Sequence, residues 1–233
     1  MEEPTHNVQT IWNRCVIERE HFGRGARFVI GIDEVGLGCL AGPVVTCAVM
    51  ADQASLEACD CALTRVGDSK KLSAKRREEL AATLQACPHI RHVIVAGSVE
   101  LIDRIGIRKA CHGAMRAASE KIVRHEQYRD AHVLVDGNQL IAGIEMPQTA
   151  IVDGDAQVYL IGAASILAKV NRNALMVKVD QEYPQYGFAM HKGYGTQAHT
   201  DALRSHGPCP LHRRTFTWPG NLPAQAGVPP VHR

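Results

Sequence analysis

The chain has 233 residues, with 26 Lys+Arg against 24 Asp+Glu (formal charge +2), 45% apolar, 21% charged and 5% aromatic residues. That profile excludes a disordered, collagen-like or coiled-coil chain as the main state. The near-neutral balance also argues against coating nucleic acid by charge alone, although an enzyme that holds it locally remains compatible.

The first 27 residues read as a lead-in, with a short helix over Val8–His21 ended by Gly23 and Gly25. Phe28–Ile32 is an apolar run with strand character, and the Gly36–Gly42 loop leads to a second, Val44–Met50. Strand, short loop, strand predicts a hairpin. Residues 52–72 read as irregular. Ser73 is a good N-cap for a helix that Pro88 ends. His89–Ala96 is a third strand, and a helix follows over Ile107–Glu126. His132–Asp136 and Thr149–Val152 are the fourth and fifth strands, and the longest helical pattern runs from Ala156 to Glu182, where Tyr183-Pro184 stops it. Thr196–Ser205 reads as a short helix, and the Pro/Gly-rich residues 217–233 as a flexible tail. This order predicts an α/β domain with a mixed sheet and helical C-terminal elements.

The N-terminus, MEEPTHNVQT, is acidic and polar and does not read as a secretory signal. No stretch approaches the roughly 20 apolar residues that span a bilayer. The eight cysteines include no CxxC pair, so neither a zinc site nor a disulfide framework is expected, and the expected location is cytoplasmic. Charge is uneven along the chain. From Ala156 onward Lys169, Arg172, Lys178, Lys192, Arg204, Arg213, Arg214 and Arg233 face only Asp180, Glu182 and Asp201. The C-terminal third is the side suited to a polyanion.

Asp33-Glu34 comes directly after the apolar run FVIGI, and Asp136 directly after HVLV. Adjacent carboxylates at a buried strand end repel each other and cost desolvation unless a positive charge sits there. Strand-terminal acids converge where α/β proteins place their sites, and hard divalent cations such as Mg²⁺ or Mn²⁺ suit such oxygen ligands. An acid before glycine is equally at home as a turn residue, so each acid alone also reads as a turn cap.

Several blocks together resemble the ribonuclease HII family. They are Gly31-Ile-Asp-Glu-Val-Gly-Leu-Gly38 with Leu40–Val45, Asp68–Ser73, and Val135-Asp-Gly-Asn138. Further along come Gly154-Asp155 with Ala163–Val170, Tyr186–Phe188, His191–Thr196 and His212–Arg214. They occur in family order over roughly residues 28–216. The resemblance implies an RNase H-like mixed five-stranded sheet flanked by helices. It also implies hydrolysis of the RNA strand in RNA–DNA hybrids, including at ribonucleotides embedded in DNA, by a two-metal-ion mechanism with Mn²⁺ or Mg²⁺. Asp33, Glu34 and Asp136 carry over as metal-binding catalytic acids. Gly36, Leu37, Gly38, Lys70, Lys71, Lys192 and Tyr194 carry over as substrate-binding positions. A monomer is expected, and the resemblance leaves a sliding-clamp contact open.

Two positions depart from the family pattern. The fourth acid is expected after the Ala-Lys-Val-x-Arg segment of the long helix, where Asn173 stands. An amide there carries no charge, which predicts weaker metal binding and slower turnover, or in the alternative a hybrid-binding member with impaired catalysis. The family's Gly-Arg-Gly loop reads Gly36-Leu37-Gly38, so a charge-assisted phosphate contact is missing and junction preference is in question. A general two-metal nuclease or strand-transfer enzyme of the wider superfamily is the third reading. A serine hydrolase is excluded, since no Gly-x-Ser-x-Gly elbow occurs, and a P-loop is excluded likewise.

Overall fold

The computed structural model describes residues 11–59, 66, 72–123 and 130–218. Lys70 and Lys71, most of the predicted tail and the first ten residues lie outside that set. The lead-in forms two short helices, α1 (Ile11–Arg14) and α2 (Val16–Gly23), rather than one. The first predicted strand is longer than its apolar run: β1 spans Phe28–Val35 and so includes the Asp33-Glu34 pair. β2 (Val44–Ala51) pairs with it antiparallel, giving the predicted hairpin.

The stretch read as irregular contains α3 (Gln53–Ala58), capped by Asp52, whose Oδ1 accepts from the Ser55 amide at 2.8 Å. Ser73 caps α4 (Ala74–Ala86) as its sequence position predicts, its Oγ accepting from the Arg76 amide at 3.3 Å. β3 (Arg91–Gly97) is followed by an unforeseen helix, α5 (Val99–Ile105), and then α6 (Ile107–Ile122). Gly106 separates the two helices at φ +85°. β4 (Ala131–Asp136) and β5 (Gln148–Ile151) lead to α7 (Gly154–Gln157) and the long α8 (Tyr159–Glu182). Val158, with extended backbone, divides what the sequence pattern joins. A 3-10 turn (Pro184–Tyr186), α9 (Phe188–His191) and α10 (Gln197–His206) complete the described chain.

The sheet has the order β3-β2-β1-β4-β5, in which β2 runs antiparallel to its neighbours β1 and β3, and β4 and β5 run parallel to β1. Each face carries a core. Val29, Val45, Val49 and Leu134 pack under α4 and α8; Ile30, Ile32, Val44, Val133 and Val135 pack under α5 and α6. The period-2 alternation of β1 and β4 sorts their side chains between these layers. A third apolar cluster, including Leu40, Met176, Tyr186, Phe188 and Leu203, docks the C-terminal elements on the 36–43 loop.

α8 lies against the central strand at Gly31. A Cβ there would meet the Leu160 carbonyl carbon at 2.3 Å and the Ile161 nitrogen at 2.4 Å, so only glycine allows the approach. The N-terminus of α8 has no local side-chain cap. Instead Glu18, buried on α2, accepts from the Leu160 amide at 2.9 Å across 142 residues of chain. Burial pushes the Glu18 carboxyl up to about 7, against a smaller lowering by its bonds to the Leu160 amide and other backbone groups. No helix among the described residues is long and apolar enough to cross a membrane.

Candidate active site

The ladder between β1 and β4 sets the acids side by side. Ile32 is in parallel register with Val135, and one step further Asp33 of β1 meets Asp136 of β4. Alternation turns Asp33 and Asp136 to the α8 face, while Glu34 turns toward α6. Asp155, in the first turn of α7, approaches from the end of β5, its backbone amide donating to Asp136 Oδ1 at 3.3 Å. Gly154 makes room for this approach, since a Cβ there would come within 3.1 Å of Asp136 Oδ1 and 2.8 Å of Ile161 Cδ1.

Asp33, Glu34, Asp136 and Asp155 line one cavity of about 270 Å³, together with Gly36, Leu37, Gly38, Ser165, Lys169 and Tyr194. Asp33 and Asp155 are buried. Burial holds the Asp33 carboxyl well above the usual carboxylate range, reinforced by the charges of Glu34 and Asp136 and opposed by a hydrogen bond from Ser165. The Glu34 amide donates to Asp33 Oδ1 at 2.6 Å. A carboxylate strained upward by its neighbours is one that a divalent cation would return to the charged form. The donor set, all carboxylate oxygen, suits a hard cation. No three His, Cys, Asp or Glu side chains among the described residues form a ready-made ion cage.

The structure thus brings together three of the four residues expected as catalytic, Asp33, Glu34 and Asp136, in one cavity. Asn173 does not line the cavity. It sits four residues beyond Lys169 on α8, about 6 Å further along the helix axis. Asp155 is the fourth carboxylate that lines the cavity. In the sequence it reads as the entrance to the long helix, and in the structure it lies in α7, four residues past Ile151 at the end of β5. Ser165 and Lys169, four residues apart on α8, line the cavity with the acids, and Ser165 hydrogen-bonds Asp33.

Of the expected substrate-binding positions, Gly36, Leu37, Gly38 and Tyr194 line the cavity. Lys192 does not: its ammonium bonds the Ala189 carbonyl at the end of α9, and its backbone is left-handed at φ +52°. Lys70 and Lys71 lie outside the described residues.

Two fully buried arginines shape the 36–43 loop from behind. Arg172 donates from Nε to Pro43 O at 2.9 Å, from one terminal nitrogen to Ala41 O at 3.0 Å, and from the other to Lys192 O at 2.8 Å. Arg213 donates to Gly42 O and Leu37 O, both at 2.9 Å. Burial lowers the Arg213 guanidinium to about 10, with Cys39 opposing the shift. Held by their carbonyls, the loop peptides turn their other edge outward. The amides of Leu37 and Gly38, two residues that line the cavity, donate to no acceptor among the described residues. Gly36, at φ +96°, lies so close to Arg172 that a Cβ would meet Nε at 2.4 Å.

Tyr194 is placed by a chain of neutral histidines. The Cys209 amide donates to His212 Nδ1 at 3.0 Å, which leaves the ring proton on Nε2. That Nε2 lies 3.0 Å from His199 Nε2, and His199 Nδ1 lies 2.9 Å from the Tyr194 carbonyl. A carbonyl only accepts, so His199 donates from Nδ1 and accepts at Nε2 from His212. Burial lowers both rings to about 4; the His212 charge is further disfavoured by His199, and that of His199 by His191.

Clustered carboxylates at the ends of the central parallel strands, a lysine and amide donors facing them, and a mixed sheet covered by helices on both faces together define the RNase H-like nucleases, enzymes that cleave phosphodiesters. The comparisons with known proteins sharpen this class. The ribonuclease HII family profile matches residues 30–218. Ribonuclease HII of Albidiferax ferrireducens is 48% identical over 191 residues, covering 82% of this chain and 86% of its own. That of Paracoccus denitrificans is 43% identical over 205 residues, covering 88% and 92%. Among solved structures, the Archaeoglobus fulgidus ribonuclease HII in its complex with PCNA superposes with a TM-score of 0.65 at 25% identity, covering 84% of this chain and 97% of that one. The Bst ribonuclease HIII complex with Mn²⁺ (TM-score 0.56, 16% identity, 80% and 65% covered) shares the fold. The chain belongs to the ribonuclease HII family, and it is a ribonuclease H type II nuclease.

Proposed function

We propose that this protein hydrolyses the RNA strand of RNA–DNA hybrids, ribonucleotides embedded in DNA included, with Asp33, Glu34, Asp136 and Asp155 holding two divalent cations, Mg²⁺ or Mn²⁺. The observation that carries the reading is the convergence of four carboxylates from β1, β4 and α7 on one cavity. When bound, such cations supply Lewis acidity toward phosphate and water and neutralise charge at the scissile group.

The chain's own residues do the rest. Ser165 holds Asp33 in orientation by its hydrogen bond. Lys169 places a fixed positive charge against the cavity, where it offsets repulsion between the acids and an incoming phosphate. The outward amides of Leu37 and Gly38 offer donors to a sugar hydroxyl or phosphate, with no side-chain reorganisation needed. Tyr194, 44% exposed, offers a ring face to a sugar or base. With all four acids present, the reading in which Asn173 impairs catalysis has no support in the geometry. Leu37 supplies no charge, which favours a weaker preference for RNA–DNA junctions than an arginine would give.

The test is cleavage of three duplexes in Mg²⁺ or Mn²⁺: an RNA–DNA hybrid, a DNA duplex with one ribonucleotide, and an all-DNA duplex. Cutting the first two and sparing the third is expected. Cutting all three would assign the chain to the broader nuclease class instead.

A further inference from the structure

The acidic cavity continues past the carboxylates. A second cavity, of about 440 Å³, shares Glu34, Leu37 and Asp136 with it. Arg108 and His112, one turn apart on α6, form its far wall, Met115 lines it on the same helix, and Asn138 and Gln139 line it after β4. Such a space, part apolar and rimmed by amides and a cation, fits a nucleotide: the sugar or base meets the apolar part and the phosphate meets the cation.

Charge supports the same reading. Arg108 is exposed and makes no hydrogen bond or ion pair among the described residues, although it borders a cavity that holds two carboxylates. Arg116, two turns further along α6, is tied to Glu120 at 2.7 Å. A polyanion passing over the acids is repelled unless cations flank its path. Lys169 lines the cavity of the acids, and Arg108 the cavity that adjoins it.

We propose that this second cavity is a nucleotide subsite, in which Arg108 and His112 hold the phosphate of a residue next to the cleaved one. The proposal rests on the hybrid-cleaving reading above. Its test is binding of a short fluorescent RNA–DNA hybrid in EDTA over a range of salt, with steady-state cleavage in Mg²⁺ alongside. Arg108→Ala should weaken binding several-fold, raise KM more than it lowers kcat, and reduce the salt dependence by about one counterion. The control is Arg104→Ala, which removes an exposed cation of α5 that lines neither cavity and should leave binding near wild type. The double variant Arg108→Ala/His112→Ala should lose less than the sum of the single losses, because the two side chains share one phosphate. Wild-type binding by Arg108→Ala, or an equal loss from Arg104→Ala, would reduce the effect to the general field and overturn the subsite. Full additivity would overturn the shared phosphate. A wild-type enzyme that binds but fails to cut the hybrid would sink the hybrid-cleaving reading above, not the subsite, since the binding arm needs no turnover.

Discussion

The backbone amide of Asp155 donates to the carboxylate of Asp136 at 3.3 Å, tying the first turn of α7 to the end of β4. The bond holds Asp155 beside Asp136, so that four carboxylates line the cavity while Asn173 of the long helix does not.

Asp155→Asn should therefore reduce Mg²⁺-dependent kcat by orders of magnitude, while Asn173→Asp should leave it within about twofold of wild type. Single-turnover cleavage of a ribonucleotide-containing duplex measures both. A gain from Asn173→Asp with no loss from Asp155→Asn would return the fourth ligand to the long helix.

Arg172 holds three loop carbonyls and is fully buried. Removing it strands those acceptors, so Arg172→Ala should cost about 3–5 kcal/mol of stability in a denaturant titration. Lysine cannot reproduce the planar fork and should recover only part of the loss. Gly36→Ala should raise KM, since its Cβ would press on the Arg172 Nε and its φ is positive. Unchanged stability and KM across these variants would show that the loop keeps its shape unaided.

Glu18 has a folded-state value of about 7, above that of an unfolded glutamate. Its contribution is therefore fully present below the unfolded value near 4.3 and is lost as pH rises through 7. Glu18→Gln should raise Tm at pH 8 and change it little near pH 4. The same Tm difference at both pH values would exclude this linkage.

The His199–His212 pair has the opposite sign. Both rings are held neutral, at about 4, against an unfolded value near 6.5. The stability they contribute is present above 6.5 and is lost as pH falls from there to 4. His212→Asn should flatten that acid limb of the Tm profile, whatever it does to Tm at neutral pH. An acid limb as steep as the wild type's would point to other groups.

Leu37 is 40% exposed and its carbonyl is held by Arg213, so a longer side chain has room without moving the loop. Leu37→Arg should raise cleavage at an RNA–DNA junction relative to cleavage inside an RNA tract by up to about tenfold, the worth of one charge-assisted contact. An unchanged ratio would place junction preference elsewhere.

Much of this molecule was legible in the chain itself. Apolar runs ending in Asp33-Glu34 and Asp136 mark two strands and their acids, because alternation and strand-end chemistry are local properties. Ser73 marks its helix start for the same reason. Helices α3 and α5 were missed because each is short, and Val158 breaks a pattern that reads as one helix from Ala156. What only the tertiary structure decided is which polar groups meet. The parallel register of β1 and β4 sets Asp33 beside Asp136, and the close approach over Gly154 brings Asp155 rather than Asn173 to them. Glu18 caps a helix 142 residues away, and Arg172 and Arg213 spend their charge on loop carbonyls rather than on substrate. The near-zero net charge follows the same division. Composition gives the sum of +2, whereas folding gathers four carboxylates into one cavity and leaves Lys169 and Arg108 on its flanks, because charge acts through distance in space and not along the chain.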